Sequence, residues 1–285
     1  MDGERGTMFQ VDGIAFQARQ QPQLEWLKNY GRVFWVGDQQ MSGNLCFGVE
    51  GRFGKLFVKY AGERPVNFSG RPEMAAAALK NAMPLYDRDH PALVKLLAHG
   101  PAGAGYAAVF RWEEAAVLNP TPPSAVVHDR VKRLQLSRSL RMLDMVYDLH
   151  AQLAADGYIA VDFYDGNLLI DFDRDAAIVC DIDLYRKKPA VNDRGRMYGS
   201  SRFLSPEEYI LGAHLTESTT VYAMGALAFE FFGSNLDRSA RAWHGPRPLY
   251  EVAARATRDD RDARYPSLQA FLSAWREAVS RVWLY

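Results

Sequence analysis

Short runs of apolar residues alternating with polar ones fill the first third of the chain, and longer runs at helical spacing follow. Between residue 30 and about residue 112, GRVFWVG, NLCFGVEG and GKLFVKY are rich in aromatic and β-branched residues and are separated by turns that contain glycine. This pattern predicts an antiparallel meander, with two more strands in ALVKLLAHG and GYAAVFRW. The alanine-rich segment RPEMAAAALKNAM predicts one helix among the strands, beginning near Pro72.

Beyond about residue 113 the pattern changes to helices. The segment EEAAVLNPTPPSAVV carries three prolines between positions 120 and 123 and is typical of a connector. Apolar residues at helical spacing then occur in SRSLRMLDMVYDLHAQLAADG, TTVYAMGALAFEFFG, YEVAARATRDD and PSLQAFLSAWREAVSRVWL. The predicted fold class is α+β, with an N-terminal extension and a β-rich lobe in residues 1–112 and a larger helical lobe in residues 113–285.

Composition narrows the class of protein. Hydrophobic residues make up 48% of the chain, which is typical of a folded globular protein. Lys plus Arg and Asp plus Glu balance at 34 each, so the charge predicts neither a nucleic-acid nor a membrane partner. Cys46 and Cys180 lie in apolar contexts, as in a reducing compartment, and the polar N-terminus does not resemble a signal peptide. We therefore expect a cytoplasmic protein, and no feature of the sequence specifies an oligomeric state.

The stretch VDFYDGN, residues 161–167, sets two aspartates and an asparagine between a helix-like run and a short apolar strand. A polar turn is the simplest interpretation. However, Asp181 ends the next apolar strand, in AIVCDIDLY, where a carboxylate is costly to bury unless it meets a metal or a donor. Oxygen ligands of this kind suit Mg²⁺ bound to phosphates. Lys59, at the end of GKLFVKY, adds a cation, although a solvated strand end would explain it equally.

In order and spacing these stretches resemble the motifs of the protein-kinase superfamily, over nearly the whole chain. FVKY is similar to the strand of the ATP-orienting lysine, VDFYDGNLLI to the D-x-x-x-x-N catalytic loop, IVCDID to the metal-binding DFG segment, and GSSRFLSPEEY to the end of the activation loop. Asp162 and Asp181 are 19 residues apart, and Asp181 and Glu207 are 26 apart, which suits a hairpin and an activation loop. The resemblance implies a two-lobed protein-kinase-like fold.

The resemblance also implies ATP and Mg²⁺ as cofactors and assigns roles. Asp162 is expected to be the catalytic base, Asn167 and Asp181 the metal ligands, and Lys59 the cation on the ATP phosphates. An acid on the small-lobe helix is expected to fix Lys59, and Glu73 is preferred.

Other positions complete the expected nucleotide site and fold. Glu63 is the alternative partner of Lys59, if the helix begins earlier. Ser42 and Gly43 would form the tip of a degenerate glycine loop, or a plain hairpin turn, and Glu113 would lie in the hinge that binds adenine. An ion pair between Glu207 and Arg264 is expected to support the fold.

Several departures from the kinase pattern bear on activity. Ala160 and Val161 stand in place of His-Arg, and Tyr164 in place of a cation near the γ-phosphate. Asp183 replaces the glycine of DFG, as in the aminoglycoside and choline kinase branch, and is either a further metal contact or a turn cap. Thr220 replaces an aspartate of the buried helix, and Asp165 is expected only to form the turn.

Three functions follow. A bacterial, eukaryotic-like serine/threonine protein kinase is favoured, because Ser200 in GSSRFLSPE stands where such enzymes carry the threonine that packs by the catalytic aspartate. A phosphotransferase acting on a small-molecule hydroxyl, such as an antibiotic or metabolite, is the alternative, supported by Asp183 and the missing His-Arg. A pseudokinase or ATP-binding scaffold is the third, supported by Tyr164 and the degenerate glycine loop.

Overall fold

The computed structural model describes residues 6–121 and 124–282. The chain divides into two compact units, of which the first runs to Asp89 and includes Val94–Glu113, and the second comprises His90–Leu93 and the chain from Glu114 onward. Six α-helices and several antiparallel sheets occur in the described residues, so the fold class is α+β, as predicted. The roles assigned to residues 1–112 and 113–285 stay a prediction.

The first unit begins with a hairpin that the sequence analysis did not predict, although Asp12-Gly13 between the alternating apolar residues of MFQVDGIAFQ is a typical hairpin signal. Strand β1 (Thr7–Val11) pairs antiparallel with β2 (Ile14–Ala18), and a 3-10 helix follows at Glu25–Asn29. Asp12 in the turn has a positive φ of 51°, and its carboxylate accepts a hydrogen bond from the backbone N–H of Val33 at 2.8 Å. This bond fixes the hairpin to the sheet that follows.

A five-stranded antiparallel sheet forms the body of the first unit. Its strands are β3 (Arg32–Gly37), β4 (Asn44–Gly51), β5 (Gly54–Ala61), β6 (Leu96–Ala102) and β7 (Gly105–Arg111). They lie side by side in the order β3-β4-β5-β7-β6, and helix α1 (Pro72–Tyr86) connects β5 to β6. All five strands and the helix correspond to segments that the apolar pattern predicts.

The two faces of this sheet have different neighbours. Phe47 and Tyr60 belong to a buried cluster with Phe16 of the N-terminal hairpin. Because successive side chains of a strand point to opposite faces, Lys59 lies on the other face. That face is the one α1 covers, since Tyr86 packs edge-on against Phe110 of β7 at 5.0 Å between ring centroids.

The second unit combines helices with short strands. In chain order its elements are β8 (Ala116–Val117), α2 (Ala125–Lys132), α3 (Leu136–Ala155), β9 (Tyr158–Ile159), β10 (Leu168–Asp171), β11 (Ala176–Val179), β12 (Arg186–Lys187), β13 (Ala190–Val191), β14 (His214–Leu215), α4 (Glu217–Phe232), α5 (Arg247–Ala256) and α6 (Leu268–Val282). Helices α3 to α6 match the four helical patterns of the sequence. Helix α2 and strand β8 fall in the stretch interpreted as a connector, so that interpretation is incomplete.

Helix α4 is the centre of the second unit's core. All but its first residue are buried, and its carbonyl at Met224 accepts a hydrogen bond from the hydroxyl of Tyr147 on α3 at 3.1 Å. Tyr147 also packs edge-on against Trp275 of α6. None of the helices in the described ranges is long and apolar enough to cross a membrane.

Candidate active site

Two loops of the second unit lie side by side at one end of the β10–β11 hairpin. Leu168 pairs with Val179 in this hairpin, so the residues just outside the pair, Asn167 and Cys180, face each other. The carbonyl of Asn167 accepts hydrogen bonds from the backbone N–H of Cys180 at 2.8 Å and from its thiol at 3.3 Å. The predicted catalytic loop is thereby fastened directly beside Asp181.

Asp162 and Asp181 both have a left-handed backbone. Their φ angles are 65° and 54°, a region in which non-glycine residues are uncommon. Within the described residues only Asp12 and Asp175 share this feature among non-glycines, and both lie in turns. Strained backbone of this kind occurs preferentially where a side chain must be aimed for function.

The backbone before Asp162 is anchored to helix α4. The N–H of Ala160 donates a hydrogen bond to Oγ1 of Thr220 at 3.0 Å, and Thr220 is only 2% exposed. The threonine that replaces the expected aspartate therefore still holds this loop. On its other side Asp162 approaches Gly199, since a Cβ built on Gly199 would lie 3.2 Å from Asp162 Oδ1. Ser200, expected to be the neighbour of this aspartate, follows Gly199 directly and accepts a hydrogen bond from the backbone N–H of Phe203 through its carbonyl, and its expected role stays a prediction.

The side chains of these loops include oxygen donors of the kind that Mg²⁺ prefers. Asn167 is 3% exposed, and its Oδ1 accepts a hydrogen bond from the backbone N–H of Tyr164 at 2.9 Å. An amide oxygen has a second lone pair, so the same atom can also bind a cation. Asp181 is exposed and Asp183 is half-buried, and carboxylate and amide oxygens are the ligands that Mg²⁺ prefers.

Two tyrosine hydroxyls belong to the same site. Burial raises the pKa of Tyr164 to about 12, and the nearby carboxylates of Asp162 and Asp181 raise it further. Burial and the same two carboxylates hold the pKa of Tyr185 well above its usual value. Both hydroxyls therefore stay protonated at neutral pH.

A buried histidine contacts Tyr185. Nε2 of His150 lies 2.7 Å from the hydroxyl of Tyr185, and its ring packs edge-on against Phe163 at 4.6 Å. Burial lowers the pKa of His150 to about 4, so its imidazole is neutral. Sequence analysis did not single out His150, because its role depends on residues that follow it by 13 and 35 positions.

Asp165 corrects an expectation, because it is far more than a turn residue. It opens a 3-10 helix at Asp165–Asn167, but its side chain is 1% exposed and forms a two-point ion pair with Arg202, with both contacts at 2.8 Å. Burial raises the pKa of Asp165, although the guanidinium acts in the opposite direction. The sequence around Asp165 is typical of a turn and does not indicate this ion pair, because its partner Arg202 lies 37 residues away.

The same arginine extends the network to helices α4 and α2. Arg202 also binds Glu230, whose Oε1 accepts from Asn235 at 2.7 Å and whose Oε2 lies 2.6 Å from Nε2 of His128. His128, Asp165 and Glu230 are close enough together to ligate a metal. Because the Arg202 guanidinium already contacts both carboxylates, we interpret the cluster as an ion-pair network that holds the catalytic loop.

The segment ending in Ser205-Pro206-Glu207 is fixed by a buried ion pair. Arg264, 1% exposed, binds Glu207 through two parallel hydrogen bonds of 2.9 and 3.0 Å, as the sequence predicts. Burial acts to raise the pKa of Glu207, but the bonds and charge of Arg264 outweigh it, and the pKa is lowered. The neighbouring Glu208 accepts hydrogen bonds from the N–H and hydroxyl of Ser205, and burial raises its pKa to about 7.

Lys59 of the first unit is buried, with 7% exposure, on the third strand of the five-stranded sheet. Glu73 is exposed in the first turn of α1. The alternative acid, Glu63, binds the backbone N–H of Gln23 and the hydroxyl of Tyr60, which places it toward the opposite face of the strand from Lys59. The acid that partners Lys59 stays a prediction.

The loop between β3 and β4 corrects a second expectation. Gly43 has a φ of 85° and is buried, and a Cβ there would meet Phe68 and Ala75 at 2.8 Å. Only Ser42 of the predicted tip is exposed, because Phe68 covers the glycine. Glu113, in the predicted hinge, is buried and accepts a hydrogen bond from Arg111 at 2.9 Å.

Comparison with protein-family models finds no match to this chain, and comparison with curated proteins finds no relative. Function is therefore inferred from the residues and their geometry.

Proposed function

We propose that the chain is a Mg·ATP-dependent phosphotransferase, and specifically a cytoplasmic serine/threonine protein kinase. The observation that carries this proposal is the pair of loops around Asn167 and Cys180. Their hydrogen bond brings an asparagine and an aspartate, both suited to Mg²⁺, to one end of a hairpin, and the left-handed Asp162 lies in the same loop as the asparagine.

Two features of the first unit support the proposal that the chain binds ATP. Lys59 lies on the third strand of an antiparallel sheet, and the next element along the chain is a helix, as expected of the lysine that binds the ATP phosphates. An antiparallel sheet with a single long helix is compatible with the small lobe that the kinase resemblance implies.

In the proposed reaction the acceptor hydroxyl attacks the γ-phosphorus, and the bond to the β–γ bridging oxygen breaks. Asp162 accepts or orients the hydroxyl proton, and Lys59 binds the phosphates. Magnesium, held by Asn167 and Asp181, would neutralise phosphate charge. Tyr164, where a cation was expected, is a neutral donor because its pKa of about 12 keeps it protonated.

A small-molecule phosphotransferase is the second candidate, and Asp183 is the observation that favours it. This half-buried acid follows the exposed Asp181 by two positions. Several carboxylates near one hydroxyl acceptor would attract a cationic substrate.

Transfer of label from γ-³²P-ATP tests the proposal. The protein is incubated with Mg²⁺ and either a mixture of serine- and threonine-containing peptides or a panel of cationic amino sugars. We expect labelled peptide with the wild type, and at least a roughly hundredfold loss in Asp162→Asn, because general acid–base groups contribute about that much. Asp173→Asn, an exposed acid elsewhere in the unit, is the matched control.

The outcomes separate the candidates. Label found only on an amino sugar would replace the protein kinase by the second candidate. ATP that binds but transfers no phosphate to any acceptor would contradict both and leave an ATP-binding scaffold.

A further inference from the structure

A continuous exposed surface of the second unit is formed by two chain segments, 192–199 and 207–213. Asn192, 0% exposed, joins them through its backbone, which exchanges hydrogen bonds with Ala213 and Gly212 at 2.9 and 2.8 Å. Its side-chain amide also donates to the carbonyls of Gly195 and Glu207. Further along, the N–H of Met197 donates to the carbonyl of Glu208 at 2.8 Å, so the two segments are fastened together along their length.

The side chains that this surface presents are apolar and basic. Its exposed large apolar residues have relative exposures between 44 and 69%. Together with two exposed arginines they define what we name the arginine–tyrosine face: Arg194, Arg196, Tyr198, Tyr209, Ile210 and Leu211. Single exposed apolar residues are ordinary, but a group of neighbours on one surface is typical of an interaction site.

The two arginines are held in place by aromatic rings and backbone. The guanidinium of Arg194 lies 4.1 Å from the ring centroid of Tyr198, and that of Arg196 lies 5.9 Å from that of Tyr209. Arg196 also donates to the carbonyls of Met197 and Gly199. Neither guanidinium forms an ion pair with a carboxylate within the described part of the chain, although the charge of Arg194 acts on the neighbouring Asp193.

Carboxylates near this surface are already engaged. Asp193 pairs with Arg186 at 2.8 Å, Glu207 pairs with Arg264, and Glu208 is buried against Ser205. The face therefore presents two arginines beside apolar side chains, with Asp193, paired with Arg186, as the single exposed carboxylate of segments 192–199 and 207–213. The complementary partner carries carboxylates beside apolar residues.

The face ends at the candidate base. Gly199, at the end of the first segment, is the residue whose Cβ would approach Asp162 Oδ1 to 3.2 Å. A peptide lying along the face would thus bring its own side chains to Asp162. We infer that the arginine–tyrosine face binds an acidic, leucine-rich polypeptide segment and presents its serine or threonine hydroxyl to Asp162, an inference that rests on the proposed function for the phosphate transfer alone.

Peptide binding without nucleotide tests this inference separately from catalysis. The first probe is a fluorescein-labelled peptide with one serine, leucine on either side, and aspartate and glutamate beyond. The second probe has lysine in place of each acid. By fluorescence anisotropy we expect the acidic peptide to bind at least about tenfold more tightly than the basic one, and its affinity to fall with added salt.

Charge reversal identifies the surface. Arg194→Glu with Arg196→Glu is expected to weaken binding of the acidic peptide roughly tenfold or more. Arg194→Glu alone, which leaves the backbone contacts of Arg196 intact, is expected to lose part of the same affinity. Arg133→Glu with Arg241→Glu, two exposed arginines elsewhere in the unit, is the matched control and is expected to bind like the wild type.

Three results would overturn the inference: equal affinity for both peptides, unchanged affinity after reversal of Arg194 and Arg196, or tighter binding of a single-stranded oligonucleotide that the same reversal removes. Failure of the proposed function has a different signature, since the acidic peptide would then bind as expected but receive no phosphate from Mg·ATP.

Discussion

At the residue scale, the candidate active site depends on the backbone conformation of Asp162 and Asp181. Each adopts a left-handed backbone that costs an L-amino acid about 1–2 kcal/mol. Asp162 follows the buried Val161, whereas Asp181 follows the partly exposed Cys180. Sequence analysis identifies both from their spacing and their neighbours along the chain. The positive φ angle of each residue cannot be predicted from the sequence, because aspartate is also common in ordinary turns.

Substitutions at Asp181 distinguish the effect of its left-handed backbone from the effect of its carboxylate. Asp181→Gly is expected to leave the free energy of unfolding within about 1 kcal/mol of the wild type, because glycine adopts a positive φ without steric cost. Asp181→Val should be less stable than the glycine variant by about 1–2 kcal/mol, since a β-branched residue does not tolerate this region. Urea denaturation of both variants measures the difference, and a valine variant as stable as the glycine one would contradict a left-handed Asp181.

The structural role of Asp165 cannot be predicted from its neighbours in the sequence. The composition of DFYDGN indicates a turn, and Asp165 does begin one. Its ion pair with Arg202 and the link to Glu230 join residues 37 and 28 positions apart, and only the fold brings these together. No local pattern distinguishes such a buried acid from an exposed turn former.

The buried position of Asp165 predicts a large effect of its removal. Asp165→Ala should lower the free energy of unfolding by about 2–3 kcal/mol, because Arg202 loses charged hydrogen bonds that water does not replace. Asp173→Ala, an exposed acid in the same unit, should change it by less than about 0.5 kcal/mol. Chemical denaturation compares the two variants, and equal effects would show that Asp165 is only a turn residue.

Elements were predicted where the apolar pattern was strong. The five strands of the sheet and helices α1 and α3 to α6 follow from runs of apolar residues with a clear period. Helix α2 was not found, because it begins directly after the prolines of a segment that is typical of a connector. The N-terminal hairpin was overlooked, although Asp12-Gly13 between alternating apolar residues is a typical hairpin turn. The hydrogen bond between Asp12 and Val33 spans 21 residues.

The short 3-10 helix at Pro206–Tyr209 depends on the ion pair of Glu207 and Arg264. Arg264→Ala would leave a buried carboxylate without its cation, and we expect a loss of about 3–5 kcal/mol. Arg281→Ala, whose pair with Glu277 is exposed, should cost less than about 0.5 kcal/mol. Thermal melting should separate the two variants while ATP affinity stays unchanged in both, and an unshifted Arg264→Ala would refute the pair.

The same helix should make stability depend on pH. Burial raises the pKa of Glu208 from 4.5 to about 7, so the folded state holds a proton that the unfolded state releases first. The free energy of unfolding should therefore fall as pH rises between these two values, by about 3 kcal/mol from this group. Glu208→Gln should remove that part of the pH dependence. Urea denaturation at pH 5 and pH 8 measures it, and identical slopes in variant and wild type would contradict the raised pKa.

At the scale of the whole molecule, the proposed reaction draws on residues of both units. Lys59 belongs to the first unit, and Asp162, Asn167 and Asp181 belong to the second. The sequence alone suggests these four residues through the spacing of its kinase-like motifs, and their roles stay predictions. The acceptor cannot be predicted from the sequence, because the arginine–tyrosine face is assembled from two segments whose exposure only the fold determines.

Magnesium-dependent binding of ATP is the measurement that tests the central claim most directly. Calorimetric titration with ATP, in Mg²⁺ and in EDTA, compares the wild type with Asp181→Gly and with the control Asp173→Asn. We expect Mg²⁺ to strengthen ATP binding to the wild type and to the control, and Asp181→Gly to weaken binding in Mg²⁺ at least roughly tenfold. ATP affinity that is the same in all three proteins, with and without Mg²⁺, would contradict the assignment of Asp181 as a metal ligand and with it the proposed phosphotransferase.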